Sequence, residues 1–342
     1  SERQGWLLNS KNEDKLTGAN LGIVLDRKAR PRTVKFTFRW NMNIVPAVRV
    51  AKVHLVPVNA NDELVDAEGN KTADVVLTVR QNAAPRIEDN RAGDSLSIIM
   101  INQKLNSMAT FDTSDNMRNW SGVTLWEATD PFVKKHPEAL GRVRSVKFSM
   151  FNLKPGEVLP KEVKNLKYLE TFSLASNDNN QIRNMELGED ICELAHLKNL
   201  VIQAYGLVKL PANFKKLGKT LENLNLVSNN FNRLSDVTKV VNARNFPHLH
   251  TLTLYAQRRT DVCINMKGLS KNGDDNYVYN NYPIGMYGNI SSDYAERQAF
   301  LSLLTWDNLR ALELSYCFLE GELPSAIATD SALETAYPMD NS

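Results

Sequence analysis

Leu221-Glu222-Asn223-Leu224-Asn225-Leu226-Val227-Ser228-Asn229 decides the fold. Apolar residues stand at its first, fourth and sixth places, and an asparagine closes it at the ninth. Places four and six alternate with polar ones, so on a short strand they point to one side. The frame recurs, with substitutions, at Val143-Val146-Phe148, Leu169-Phe172-Leu174-Asn177, Leu197-Leu200-Ile202, Leu249-Leu252-Leu254 and Leu309-Leu312-Leu314-Cys317. First places lie 26, 28, 24, 28 and then 60 residues apart, and all but the last interval fit a repeated structural turn. Six matches in register, with Leu-Pro pairs downstream at 159–160, 210–211 and 323–324, are a poor fit to a chance scatter of leucine.

This frame predicts strands at residues 146–148, 172–174, 200–202, 224–226, 252–254 and 312–314, paired in parallel and lining a concave face. The ninth place should satisfy backbone groups where the chain leaves the strand. Phe151, Tyr205 and Gln257 depart from asparagine there, so that ladder is expected to break at these turns. An apolar cross-section needs covering at the first turn. Residues 94–142 fit that task, with Asp94 expected to cap a helix carrying Leu96, Ile99, Leu105 and Met108 at helical spacing.

The order of helix, Trp120-Ser121-Gly122-Val123, Gly141-Arg142-Val143 and Leu159-Pro160-Lys161-Glu162-Val163-Lys164-Asn165-Leu166 resembles the cap and first turns of leucine-rich-repeat proteins. That type includes plant receptor ectodomains and bacterial surface proteins. Leu125 stands where the plant type has cysteine, which removes the disulfide of a plant cap. A small β-domain before a cysteine-poor repeat array is more similar to surface or secreted lipoproteins of Bacteroidetes-type bacteria. The resemblance implies an α/β leucine-rich-repeat solenoid preceded by a small all-β, immunoglobulin-like domain. The expected division is residues 1–88 for the β-domain, 89–142 for the cap and 143–342 for the repeats, with an insertion at about 260–292.

The front segment has its own period. Val34, Phe36, Phe38 and Trp40 alternate with polar residues, and Val53 with Leu55 and Val75 with Leu77 and Val79 suggest two more strands. Turn chemistry separates them at residues 59–62 and 68–70. Six Lys or Arg fall between Arg27 and Arg39, which reads as an outward strand face and a solvated loop.

Bulk properties narrow the functions. The 342 residues carry a net charge of +2, which gives no reason to expect nucleic acid as a partner. No apolar run approaches the roughly 18 residues of a membrane helix. Cys192, Cys263 and Cys317 are too few and too scattered for a disulfide framework or a zinc site. No nucleophile elbow, phosphate loop, metalloprotease helix or dinucleotide fingerprint is present, so neither an enzyme nor a cofactor is expected. His248 and His250 flank Leu249 and should be solvated rather than metal-bound. Asp274-Asp275 lacks the spacing of a calcium loop. Asn119 and Asn289 begin sequons that matter only in a eukaryotic secretory setting.

Two surfaces are candidates for binding. Outward strand places give a small, polar, nearly uncharged concave face that includes Asn199, Gln203, Asn223, Asn225, Thr253, Tyr255 and Glu313. The insertion carries Tyr277, Tyr279, Tyr282 and Tyr287 among asparagines and glycines, the composition of binding loops. A degenerate repeat with packed tyrosines is the plainer reading of it. Asp293-x-x-Glu296 reads as a capping box opening a helix through Phe300 and Leu304. The expected function is a non-catalytic interaction module at a bacterial cell surface or outside the cell, its signal or lipid anchor removed. It would bind a protein partner, or a glycan in an adhesive or nutrient-capturing role. The repeats are expected to outrun this chain, since no added strand or helix is foreseen after Thr335 to cover the last turn.

Overall fold

The computed structural model describes residues 7–8, 39–40, 43–55, 71, 75–107, 109, 111–112, 115–153, 156–176, 185–259, 285–325, 327 and 332–337. The chain divides into two compact units, Ser1–Arg86 and Ile87–Ser342.

In the first unit β1 (Leu7–Leu8) pairs antiparallel with β2 (Arg39–Trp40). A longer antiparallel hairpin joins β3 (Arg49–Leu55) to β4 (Val75–Gln81). Strands are thus found where Val53 and Val75–Val79 predicted them, whereas the alternation at residues 34–38 lies outside the described residues. Ala51 is the buried apolar residue of β3, while Val50, Val76 and Leu77 are exposed. The loop before β3 is held by Asn43, a buried amide that donates to Ala47 O at 2.6 Å and Asn82 O at 2.7 Å and accepts from Val45 N. Among the described residues the unit comprises these two antiparallel pairs, and an immunoglobulin-like sandwich is not shown.

The second unit opens with α1 (Arg91–Leu105). Its cap is Asn90, whose side chain accepts from Gly93 N, and not Asp94 as the sequence suggested. Asp94 sits in the first turn with its carboxylate buried, accepting from Arg142 Nε and Nη2 at 2.8 Å and from Val143 N at 3.0 Å. Burial pushes this carboxyl above its ordinary range, against the pull of Arg142 and the Val143 amide. The bidentate pair therefore ties the helix to the start of the first repeat strand. Gly93 is fixed by contact, since an added Cβ would lie 1.7 Å from Glu88 O. The helix ends at Asn106 in the left-handed region, and Met108 lies outside the described residues.

After α1 comes β5 (Val123–Leu125), then the short α2 (Pro131–Lys135), then the first repeat strand β6 (Val143–Ser149). β5 runs antiparallel to β6 and closes that side of the sheet. Trp120 is buried behind it, its indole donating to Asp112 O at 2.7 Å. Gly122 takes φ +78° and accepts from Lys147 N through its carbonyl.

From β6 onward each period adds one strand. β7 (Thr171–Ala175) follows, then β8 (Met185–Glu186), β9 (Asn199–Gln203), β10 (Leu207–Lys209) and β11 (Asn223–Asn225). Beyond β11 come α3 (Leu234–Thr238), β12 (Thr251–Thr253), α4 (Tyr294–Leu304), β13 (Ala311–Glu313) and β14 (Thr335–Tyr337). Seven of these strands, with β5, make an eight-stranded sheet in the order β14-β13-β12-β11-β9-β7-β6-β5, parallel throughout except at β5. β8 and β10 form a separate parallel pair where the chain leaves the turns. The register follows the repeat frame: Val146, Phe172, Leu200, Leu224, Leu252, Leu312 and Ala336 lie side by side, and Phe148, Leu174 and Ile202 form a second row. The first six of the first row are buried, as are Leu226, Leu254 and Leu314. This is an α/β repeat fold built on a mainly parallel sheet.

Strand β14 corrects one expectation. Leu333 repeats the first place 24 residues after Leu309, and Thr335–Tyr337 pairs in parallel with β13, so a strand does follow. The frame is hard to see there because Ala336 stands in the fourth place.

The ninth places also correct the reading. Asn229 donates to Ile202 O and Leu226 O and accepts from Tyr205 N and Leu207 N. Gln257 donates to Leu226 O and Leu254 O at 2.8 and 2.9 Å, and Cys317 donates through sulfur to Leu254 O. The ladder therefore passes through Gln257 unbroken, because one more methylene still delivers the amide to the same two carbonyls. Tyr205 does depart: its ring lies 5.5 Å from that of Phe151, and both are buried. Asn177 lies outside the described residues.

Candidate functional site

The open face of the sheet alternates with the buried rows. Asn199, Gln203, Asn223, Asn225, Thr253, Tyr255 and Glu313 all lie half-buried on it. Lateral spacing between parallel strands lets like neighbours bond: Asn199 donates to Thr171 Oγ1 at 3.0 Å, and Asn223 donates to Asn199 Oδ1 at 2.7 Å. Asn225 and Glu313 turn back on their own strands and accept from Val227 N and Ser315 N. Much of the polar capacity is thus committed within the protein, leaving a preorganised surface of short side chains. Among the described outward places of β6, β7, β9, β11, β12 and β13, charge is confined to Lys147 and Glu313.

Charge is displaced to a row along the strand starts, one residue after each first place: Arg144, Glu170, Lys198, Glu222, His250, Arg310 and Glu334. Arg144 pairs with Glu170 at 2.6 Å, Lys198 with Glu222 at 2.7 Å, and Arg310 with Glu334 at 3.9 Å. Each residue after Arg144 also donates its backbone N–H to the carbonyl of its predecessor in the row. The Lys198 ammonium is held above its usual range by the hydrogen bond it donates to Glu222. Sequence reading missed this row, because within one turn each charge looks like an isolated solvated residue.

A second missed feature lies over the first turns. Trp126 and Phe132 stack at 4.4 Å, Phe132 stacks on His136 at 4.5 Å, and His196 lies 5.3 Å from His136 and parallel to Tyr168. Arg144 covers the Trp126 ring at 4.6 Å. Burial, with the neighbouring His136, lowers the affinity of His196 for a proton. The cluster binds α2 to the first turns.

At the other end the open face runs into aromatic residues. Tyr255 and Tyr316 meet edge to face at 5.3 Å, and Tyr316 and Phe318 at 6.5 Å. Tyr316 and Phe318 are each more than a third exposed. Both take left-handed backbone, φ 55° and 51°, which costs an ordinary residue roughly 1–2 kcal/mol. Tyr287 lies half-buried nearby, under the guanidinium of Arg259 at 4.7 Å. Tyr277, Tyr279 and Tyr282 lie outside the described residues, as do Asp274 and Asp275. The described residues resume at Gly285, inside the expected insertion.

Cys192 and Cys317 are buried and reduced, and desolvation pushes both thiols up to about 12, far from thiolates at neutral pH. His248 and His250 are exposed on either side of buried Leu249. No group of three or more His, Cys, Asp or Glu is placed to hold a metal among the described residues, and no described helix is long and apolar enough to cross a membrane.

No protein-family profile matches the chain, and no curated protein matches it. Among solved structures, a plant ice-binding protein aligns at 20% identity and a TM-score of 0.37, over 50% of this chain and 50% of its own, so the chain spans half the length of that relative. The leucine-rich-repeat ectodomain of the receptor kinase SOBIR1 from Arabidopsis thaliana aligns at 19% identity and a TM-score of 0.37, over 68% of this chain and 96% of its own. A leucine-rich-repeat protein of Leptospira interrogans aligns at 16% identity and a TM-score of 0.24, over 54% of this chain and 52% of its own.

Proposed function

We propose that the repeat unit is a non-catalytic interaction module that binds a protein partner across the open face of its sheet. The observation that carries this reading is the join between a preorganised, nearly uncharged polar face and the aromatic trio of half-buried Tyr255 with exposed Tyr316 and Phe318. Short side chains already bonded to one another lose little freedom on contact, and aromatic anchors beside them supply the apolar area that dominates interface energies. Near-neutrality disfavours nucleic acid, whose phosphates demand basic contacts. The edge-to-face arrangement of the trio offers no flat stacking platform, which favours protein over glycan. On the resemblance of its cap and first turns, we place the protein at a bacterial surface or outside the cell, in an adhesive role, with a small β-sandwich in front.

The test compares the native chain with Tyr255→Ser combined with Tyr316→Asn, asparagine being chosen because it tolerates left-handed backbone. Proteins captured from the source cell's surroundings by the native chain should be lost on the double variant while its melting temperature stays within about 2 °C. Undiminished capture, or a glycan array that responds where protein capture does not, would overturn the reading. Fractionation of cells producing the natural protein tests the location.

A further inference from the structure

Residues 285–287 run across the exits of three turns. Gly285 N donates to Gln257 O at 2.6 Å, Met286 N to Cys317 O at 2.6 Å and Tyr287 N to Asn232 O at 2.7 Å. Their course encloses one side of an open cleft of about 470 Å³, walled by Arg259, Met286, Tyr287, Asn289, Phe318 and Glu320. Gly285, with φ +124°, lets the segment press close, since a Cβ there would meet Phe318 Cβ at 3.0 Å.

Arg259 is the unusual wall. Its guanidinium lies over the Tyr287 ring, but its Nε is shut off from solvent with no acceptor, and it forms no ion pair among the described residues. The basic side chains on the strand-start row do have carboxylates: Arg144, Lys198 and Arg310 are all paired. A guanidinium stays charged at any physiological pH, and a desolvated donor without an acceptor is costly. Nε, shut off from solvent, is beyond the reach of an incoming anion, so the charge that lines the cleft is offered through the outer nitrogens, and stacking on Tyr287 holds them in place for a planar anion. Met286 and Phe318 add apolar wall beside it. Glu320 lines the same cleft, so a dianion would meet an opposing charge that a single carboxylate on an apolar stem can keep away from.

We infer that this cleft receives an acidic side chain of a protein partner, its carboxylate on the Arg259 fork and its apolar neighbour against Met286 and Phe318. The inference rests on the interaction-module reading for the nature of the ligand, but the cleft lies off the open face and is tested separately.

The experiment follows the methyl resonance of Met286, assigned by Met286→Leu, in the full chain carrying ¹³C-methyl methionine. The probes are N-acetyl-Glu-Leu amide, N-acetyl-Gln-Leu amide and inorganic phosphate. The glutamyl probe should shift the resonance saturably. The glutaminyl probe, and Arg259→Gln with the glutamyl probe, should each bind at least about tenfold more weakly, with no further loss when combined. The other methionine methyls report whether Arg259→Gln keeps its fold. Should they move, Arg259→Lys, which keeps the charge and loses the fork, replaces it, with an intermediate affinity expected. A resonance that ignores the glutamyl probe, that answers the glutaminyl probe equally, or that prefers phosphate overturns the assignment. Because the probes are dipeptides, none of these outcomes depends on whether the open face binds a protein.

Discussion

Ser228 carries two costs at once. Its φ of 55° places it in the left-handed region, and its hydroxyl is buried without a partner. The backbone there is over-determined, since Ser228 N donates to Tyr255 O as Met150, Ala204 and Ala256 donate across the same place in their own turns. Glycine removes both costs and loses only its own chain entropy. Ser228→Gly should therefore stabilise the protein by about 1 kcal/mol, read as a rise in the denaturant midpoint at unchanged slope. Gln257 predicts the opposite. Gln257→Leu keeps the volume but takes one of two donors from each of Leu226 O and Leu254 O, which retain Asn229 and Cys317, and removes the acceptor of Phe231 N, and should cost about 1–3 kcal/mol by chemical denaturation. This residue also marks where sequence reading fails by rule rather than by signal. Its place in the frame was legible, yet asparagine was required where any amide of sufficient reach suffices.

The segment from Asp293 to Leu304 shows the same divide within one element. Asp293 caps α4 as its sequence predicts, accepting from Ala295 N and Glu296 N. Glu296 does not turn back to complete a capping box, because Asp293 N is already donated to Asn289 O. It reaches across to α3, fully buried, and accepts from Leu234 N at 3.0 Å, Ser235 N at 3.4 Å and Ser235 Oγ at 2.6 Å. One helix thus caps another 61 residues away, a pairing that no local pattern encodes. Glu296→Ala should cost about 2–4 kcal/mol and raise amide exchange in residues 234–238 first. The Arg233 guanidinium holds the Asp293 carboxyl below its ordinary range, with its backbone donors adding to the effect. The folded state therefore binds this proton less readily than the unfolded chain. Its contribution is complete above the ordinary carboxylate range and fades as pH falls through the lowered value. Asp293→Asn should flatten the acid limb of the stability profile, and an unchanged limb would mean that the cap and ion pair are not formed.

Across the whole repeat unit, each turn touches chiefly its neighbours, so stability should be graded along the array rather than uniform. Amide exchange should be slowest in β9 and β11 and fastest at β14, and Leu224→Ala in the middle row should cost about 2–5 kcal/mol. The sheet was legible because inward leucines at a fixed interval are a strong signal. Among the candidate binding residues, the polar face followed from the same alternation. The aromatic trio did not, because Tyr255, Tyr316 and Phe318 are brought together only by the stacking of two turns 60 residues apart. The row of alternating charge was hidden for the same reason, and it bears on how such an array can lengthen or shorten. With signs alternating from Arg144 through Glu170 and Lys198 to Glu222, losing the one turn that carries Lys198 would press Glu170 against Glu222, whereas losing the turns of Glu170 and Lys198 together would set Arg144 beside Glu222 and keep attraction. Over that stretch the parity of the turn count is written into the flank of the sheet, and removing two turns should disturb it less than removing one.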